Sequence, residues 1–377
     1  MLKSSAATVV QASRARLVEL SERIHANPET AWQEHLASQW VADALADSGF
    51  NVTRQYLGLE TALLATSGNG DFRVGICAEY DALPGLGHAC GHNIIAAVAV
   101  GAATALAPLA AELNATIEVY GTPAEEGGGG KIELLKRGAF KGLDLAMMAH
   151  PAPLDAAGEE SVAVSHSHVA YKGKAAHAAA FPEHGVNAAD AFTVAQVSIG
   201  LLRQHLPAGT RVHGVVTSGG EAPNAIPEHT EGRWYVRAPT LAELGEVDPK
   251  VRRCFEAGAV ATGCELDITA ESEPYAELRP DQAALASYVR NAQALGRHFA
   301  TKGSAVQMNR VSTDMGNVSH VVPTIHPYIG IDSLPALNHQ REFATHCVGP
   351  AAELAILDAA TALAWTAIDM AIERRRN

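Results

Sequence analysis

The sequence predicts an α/β fold in which a larger domain, with a mostly parallel central sheet flanked by helices, is interrupted by a ferredoxin-like α+β insertion. Three observations carry this expectation. Strand-like and helical stretches alternate from Phe72 to His150. A strand–helix–strand–strand–helix–strand order then runs to about residue 281. Beyond it the chain returns to helix, strand and a long final helix, the pattern of a domain resumed after an insertion. At 377 residues two domains are the natural expectation, 1–163 with 282–377 forming one and 164–281 the other.

Each element has a local reason. Residues 3–26 read as an amphipathic helix stopped by Asn27-Pro28, and Glu34–Ser48 as a second ended by Gly49. Residues 72–79 form a strand and 93–108 an apolar helix. TIEVYGT is a strand, KIELLKR a short helix, and LDLAMMA a strand running into His150. Such alternation implies right-handed crossovers within a parallel sheet. Near residue 162 the pattern changes. VAVSHSHVAYKG alternates apolar and polar residues, as a half-buried antiparallel strand does. A helix over 187–205, strands RVHGVVTSG and EGRWYVRAP, a helix over 240–262 and the strand CELDITAESE complete the insertion. A helix at 282–300, the strand PTIHPYIGI and a helix at 350–373 close the chain.

Composition narrows the function. An apolar fraction of 47% with 18% charged residues is that of a soluble globular protein. A net charge of -13 argues against nucleic acid or an anionic membrane as partner, since both require a basic footprint. No uninterrupted apolar run of membrane-spanning length and no signal peptide is read. The five cysteines lack paired spacing, so a reducing, cytoplasmic setting is expected. Histidine is in excess, with 17 residues against 8 each of Phe and Tyr, which directs attention to ligands.

In an open parallel sheet, ligands bind beyond the carboxyl ends of the strands. Those ends carry Glu79 and Asp81, then Glu125 and Glu126, then His150, while Cys90 and His92 open the first crossover helix. Taken singly, each has an ordinary structural explanation; their convergence on one sheet edge does not. A thiolate, imidazoles and carboxylates suit a borderline divalent cation such as zinc, or manganese or cobalt where oxygens dominate. Adjacent glutamates allow one to bind metal while the other serves as general base toward an activated water. The GGGGK run at 127–131 is no phosphate loop, because Glu125 and Ile132 stand where glycine and a hydroxyl residue are needed.

EYDALPGLGHACGHN, TPAEEGGGGK, MMAHPAP, YKGKAAHAA, GGEAPNAIPE and STDMGNVSHVVPTIHP together resemble the zinc-peptidase family M-twenty, subfamily D, the aminoacylase and carboxypeptidase type of amidohydrolase. The wording of GHACGHN and STDMGN is most similar to its aminobenzoyl-glutamate hydrolase and vertebrate dipeptidase-like branch. The resemblance implies a dinuclear metal catalytic domain and a lid that also dimerises. It assigns Cys90, His92, Glu126, His150 and His339 as metal ligands, with His346 in reserve for the last, and Glu125 as catalytic base. Glu79 is either an acid behind the ligands or an extra ligand, and Asp81 orients one. Asn93 stands where related branches carry aspartate, which questions metal binding there. In the lid, His177, His213, Asn224 and Arg237 are candidates for holding the substrate's carbonyl or carboxylate. Thr313, Asp314 and Asn317 lie on a glycine-containing turn without assigned chemistry.

The expected activity is metal-dependent hydrolysis of the amide bond in N-acyl amino acids, aminobenzoyl-glutamate-like conjugates or small dipeptides. Two divalent ions, zinc or manganese, are implied per chain, in a homodimer. Ester or amidine hydrolysis at the same metals, or a non-catalytic metal-binding scaffold, are the alternatives.

Overall fold

A computed structural model describes residues 1–157, 161–299 and 311–376. They form two compact units: Met1–Glu160 with Leu278–Asn377, and Ser161–Glu277.

The larger unit is built on a six-stranded sheet with the spatial order Asn51–Arg54, Leu63–Gly68, Ala115–Gly121, Phe72–Ala78, Leu145–Met147, Thr324–Ile325. The last three pairings are parallel and the first two antiparallel. FRVGICA and ATIEVYG are buried almost throughout, as central strands covered on both faces must be. The helix His92–Leu106 is apolar on every side because nearly every residue in it is buried. It packs beside the final helix Pro350–Arg374 and the N-terminal helix Arg14–Ala26.

Several boundaries depart from the sequence reading. The expected helix over 3–26 is two helices, Leu2–Ala12 and Arg14–Ala26, broken at the buried Ser13. The helix expected to reach residue 300 ends at Ala294, before Gly296 in a left-handed conformation; residue 300 lies outside the described residues. PTIHPYIGI splits into Thr324–Ile325 and Tyr328–Gly330, because Pro327 has no N–H to continue the ladder. LDLAMMA likewise ends at Met147, and His150–Ala152 pairs in parallel with Tyr328–Gly330 as a separate two-stranded sheet. Two helical segments, His92–Leu113 and Pro350–Arg374, do have the length and apolarity to cross a membrane, contrary to the sequence reading. They are core helices, with 78% and 72% of their most apolar stretches buried in the fold.

The smaller unit is a four-stranded antiparallel sheet ordered Glu265–Ala270, Ala163–Lys172, His229–Ala238, Arg211–Ser218. The helices Ala188–Leu202 and Leu241–Thr262 cover one face, with Phe192, Ile199, Val251 and Phe255 in one buried cluster with Trp234 of the sheet. The order strand–helix–strand–strand–helix–strand is the ferredoxin-like arrangement.

One buried acid holds the turn that follows the strand Ala115–Gly121. Glu34 Oε1 accepts from the backbone N–H groups of Trp32 (3.0 Å) and Ala124 (2.8 Å), and Oε2 from the Thr61 hydroxyl (2.8 Å). Trp32 and Ala124 both adopt left-handed backbone conformations, at φ +66° and +56°, which this carboxyl anchors. Gly130, where the next helix begins, lies so close that a Cβ would sit 1.8 Å from the Pro123 carbonyl oxygen. Burial, then the charge of Asp81, raises the Glu34 carboxyl from 4.5 to about 7. The folded chain therefore retains a proton there that the unfolded chain releases, and stability falls as pH rises from about 4.5 to about 7. Glu34→Gln keeps the acceptor oxygen and removes the charge. Denaturant unfolding at pH 5 and pH 8 should show its stability relative to the parent improving with pH; a difference independent of pH would show that Glu34 titrates normally.

Candidate metal centre

Parallel pairing of Phe72–Ala78 with Ala115–Gly121, in register from Phe72 with Ala115 to Ala78 with Gly121, sends both chain directions out at one edge. Glu79 and Asp81 follow the first strand, and Glu125 and Glu126 follow the turn after the second. His92 starts the crossover helix, preceded by Gly91 at φ +84°, where a Cβ would meet the Pro151 ring at 2.4 Å. His150 begins its short strand next to that ring.

These side chains converge. Cys90 Sγ lies 3.5 Å from His150 Nε2 and 3.3 Å from His339 Nε2. His339 Nε2 is 3.4 Å from Glu126 Oε1. His92 Nε2 is 3.9 Å from Glu126 Oε1 and 4.0 Å from Glu125 Oε2. Two triads, Cys90–His92–His150 and Cys90–Glu126–His339, each gather their donor atoms within 4.8 Å and share the cysteine. A third, His92–Glu125–Glu126, links them.

The supporting bonds orient these donors. Asp81 Oδ1 accepts from His92 Nδ1 at 2.9 Å, while Oδ2 accepts from the Glu126 backbone N–H at 2.9 Å. One carboxylate thus sets the His92 tautomer and the position of the glutamate pair. The Pro151 carbonyl accepts from His150 Nδ1 at 2.8 Å, again leaving Nε2 toward the cluster. His339 has a left-handed backbone at φ +67°, and its N–H donates to the Ala89 carbonyl at 2.8 Å.

The electrostatics are those of an ionic cluster. Burial and Glu126 push the Cys90 thiol up, yet His339 and His150 overcome both and bring it down to about 6. The Cys90 charge, with Glu126, lifts His339 to about 11. Glu126 is opposed by burial but held near 2 by its ion pair with His339, then by the charge of His92. Glu125 goes the other way: burial, then Glu79, Glu126 and Asp314, raise it well above the ordinary carboxylate range.

The donors fit a divalent metal. His92 Nε2 and Glu126 Oε1 are buried without a hydrogen-bond partner among the described residues, a costly arrangement that a shared cation relieves. Thiolate, imidazole and carboxylate at these separations suit a borderline ion.

His346 ends the helix Arg341–His346 and is in none of the donor groups, whereas His339 is in one. Asn93 turns away, its Nδ2 donating to Ser21 Oγ and the Cys347 carbonyl, both at 2.8 Å. In the smaller unit the four candidates form two pairs. Arg237 Nε donates to His213 Nε2 at 3.4 Å across neighbouring strands. The Ala178 N–H, next to His177, donates to the Asn224 carbonyl at 3.0 Å. Sequence reasoning missed Lys131, a wholly buried lysine paired with Glu79 and Asp314. It also missed His326, buried with both ring nitrogens unpartnered among the described residues and its ring 5.5 Å from that of His150.

The family described as "Peptidase family M20/M25/M40" matches residues 75–353. A Xaa-Arg dipeptidase of Mus musculus is 42% identical over 98% of this chain and 89% of that protein. A p-aminobenzoyl-glutamate hydrolase component of Escherichia coli (strain K12) is 31% identical over 67% of this chain and 57% of that protein. Two solved structures share the fold. An aminobenzoyl-glutamate utilization protein from Klebsiella pneumoniae aligns with TM-score 0.74 and 19% identity, covering 96% of this chain and 97% of that one. A dinuclear metal-binding peptidase from Bacillus subtilis aligns with TM-score 0.69 and 22% identity, covering 96% and 99%. With the donor cluster and the general base candidate at one sheet edge, this chain belongs to peptidase family M20/M25/M40 and is a metal-dependent hydrolase of small amides.

Proposed function

We propose that the cluster holds two divalent ions, zinc or manganese, with Cys90 as the shared ligand, His92 and His150 completing one donor set, and Glu126 and His339 the other. The observation that carries this is the pair of donor triads with a common thiol. Ions bound there would supply Lewis acidity toward a water and an amide carbonyl. Glu125, whose carboxyl oxygen lies 4.0 Å from His92 Nε2, would accept a water proton and deliver it to the leaving nitrogen. Asp81 holds His92 and the Glu126 backbone in register throughout.

The substrate class is a small dipeptide, with N-acyl amino acids and aminobenzoyl-glutamate-like conjugates as neighbours in chemistry. A basic residue on the leaving side is favoured by one observation: the Xaa-Arg dipeptidase relative spans nearly the whole chain. The smaller unit would serve as lid and dimerisation module, with His177, His213, Asn224 and Arg237 as its candidates for holding the substrate's carbonyl or carboxylate. Supporting this, its edge strand Arg211–Ser218 is largely exposed, as are the apolar Val197, Leu201 and Val215. The five cysteines, all free and buried, suit a cytoplasmic setting.

Amine release should be measured from dipeptides ending in arginine or lysine, N-acyl amino acids and p-aminobenzoyl-glutamate, with manganese or zinc and with a chelator. Metal-dependent, chelator-sensitive turnover fastest on the basic dipeptides is expected; turnover confined to the conjugates would move the substrate assignment. Glu125→Gln should lower kcat about 10²–10⁴-fold while metal content, read by elemental analysis, stays at the parental level. Retained turnover would remove Glu125 from the base role. Asp81→Ala strips the acceptor from both His92 and the Glu126 N–H, and metal affinity should weaken about 10–100-fold in a titration.

A further inference from the structure

A second buried charge cluster adjoins the donor set. Lys131, in the GGGGK run, has no exposed surface, and neither do Glu79 and Asp314. Its Nζ donates to Glu79 Oε1 at 2.5 Å and to Asp314 Oδ1 at 2.6 Å, and its backbone N–H donates to Asp314 Oδ2 at 2.9 Å. Glu79, Glu125 and Asp314 each bring an oxygen within 4.8 Å of the others, the spacing of a cation site. The lysine ammonium pairs with two of these three acids, so the chain supplies a covalently attached cation where an ion could otherwise bind. Burying an ammonium is tolerated only with such pairing, and removing it would leave acids buried without a countercharge.

Glu79 Oε2 is the informative atom. It is buried, lacks a hydrogen-bond partner among the described residues, and lies 3.4 Å from His92 Nε2, which also lacks one. With Oε1 committed to the ammonium, the carboxylate cannot turn Oε2 elsewhere without breaking a buried ion pair. Two unsatisfied atoms, an imidazole nitrogen and a carboxylate oxygen, therefore face each other at a separation that a single cation can bridge.

We propose that Lys131 is a positioning residue for the metal centre, clamping Glu79 so that Oε2 joins His92 Nε2 as a donor to the ion on the His92 side. This rests on the metal reading above. Lys131 touches neither substrate nor ion; it acts through Glu79, and Asp314 anchors it from the other side. The Gly-rich turn and the STDMGN turn are thereby coupled to the coordination of one ion.

Cobalt(II) titration of the substrate-free protein, read by affinity and by the visible absorption of the bound ion, tests this apart from catalysis. Glu79→Gln and Lys131→Met should each weaken one cobalt equivalent about 10–100-fold and change its absorption band. The double variant should be no worse than Glu79→Gln, because both act on one donor. Lys131→Arg, which retains the charge, should recover part of the parental band. Parental affinity and band in either single variant, or strictly additive losses in the double, would overturn the proposal. Should Lys131→Met fail to fold, Glu79→Gln still decides, since its lysine keeps Asp314. A parent protein that binds no cobalt would overturn the metal reading itself, a result seen before any variant is made.

Discussion

The arrangement depends first on one backbone constraint, the parallel register between Phe72–Ala78 and Ala115–Gly121. It places two acidic turns side by side at the carboxyl edge, where strand ends leave room for side chains to converge. Asp81 converts that adjacency into a fixed geometry. Its two oxygens join a histidine on the crossover helix to the backbone of the second turn. A single carboxylate thus spans three chain segments, and the Ala-rich helix beginning at His92 adds burial along nearly its whole length to its own propensity.

Around this edge, charge is arranged in layers. Glu34 lies behind the glutamate turn, with both of its oxygens used and its carboxyl poised near neutrality. The paired Lys131, Glu79 and Asp314 lie on another side, buried and ionic. Between them Glu125 is pressed by burial and then by neighbouring carboxylates toward the protonated form, while Glu126 and Cys90 are drawn toward the charged form by histidines. Adjacent residues of like chemistry thereby acquire opposite proton affinities.

The fold class and the cluster were legible in the sequence because both follow from local chemistry. Strand-like runs ending in acids, and a Cys-x-His at a helix start, state their position without tertiary information. The partition into ferredoxin-like strands and helices was likewise written in alternating apolarity. Other features depend on contacts between distant segments. Lys131 reads as a solvated lysine in a glycine run until Asp314, 183 residues away, is brought to it. Glu34 reads as a surface acid before a helix until Ala124 and Thr61 close on it. The antiparallel strands Asn51–Arg54 and Leu63–Gly68 are short and carry mixed polarity, so no period announces them. Splitting of PTIHPYIGI turns on one missing N–H at Pro327.

Of the clustered donors, His339 alone is well exposed, with 55% of its side chain open, on a residue in the left-handed region at φ +67°. The four others sit on the sheet edge or at the start of the core helix and are prearranged by burial. The candidate donors are accordingly unequal in shelter: four stand on buried segments and the fifth on an exposed turn. A substitution that reshapes this turn can therefore alter the fifth donor without disturbing the sheet that gives the site its shape.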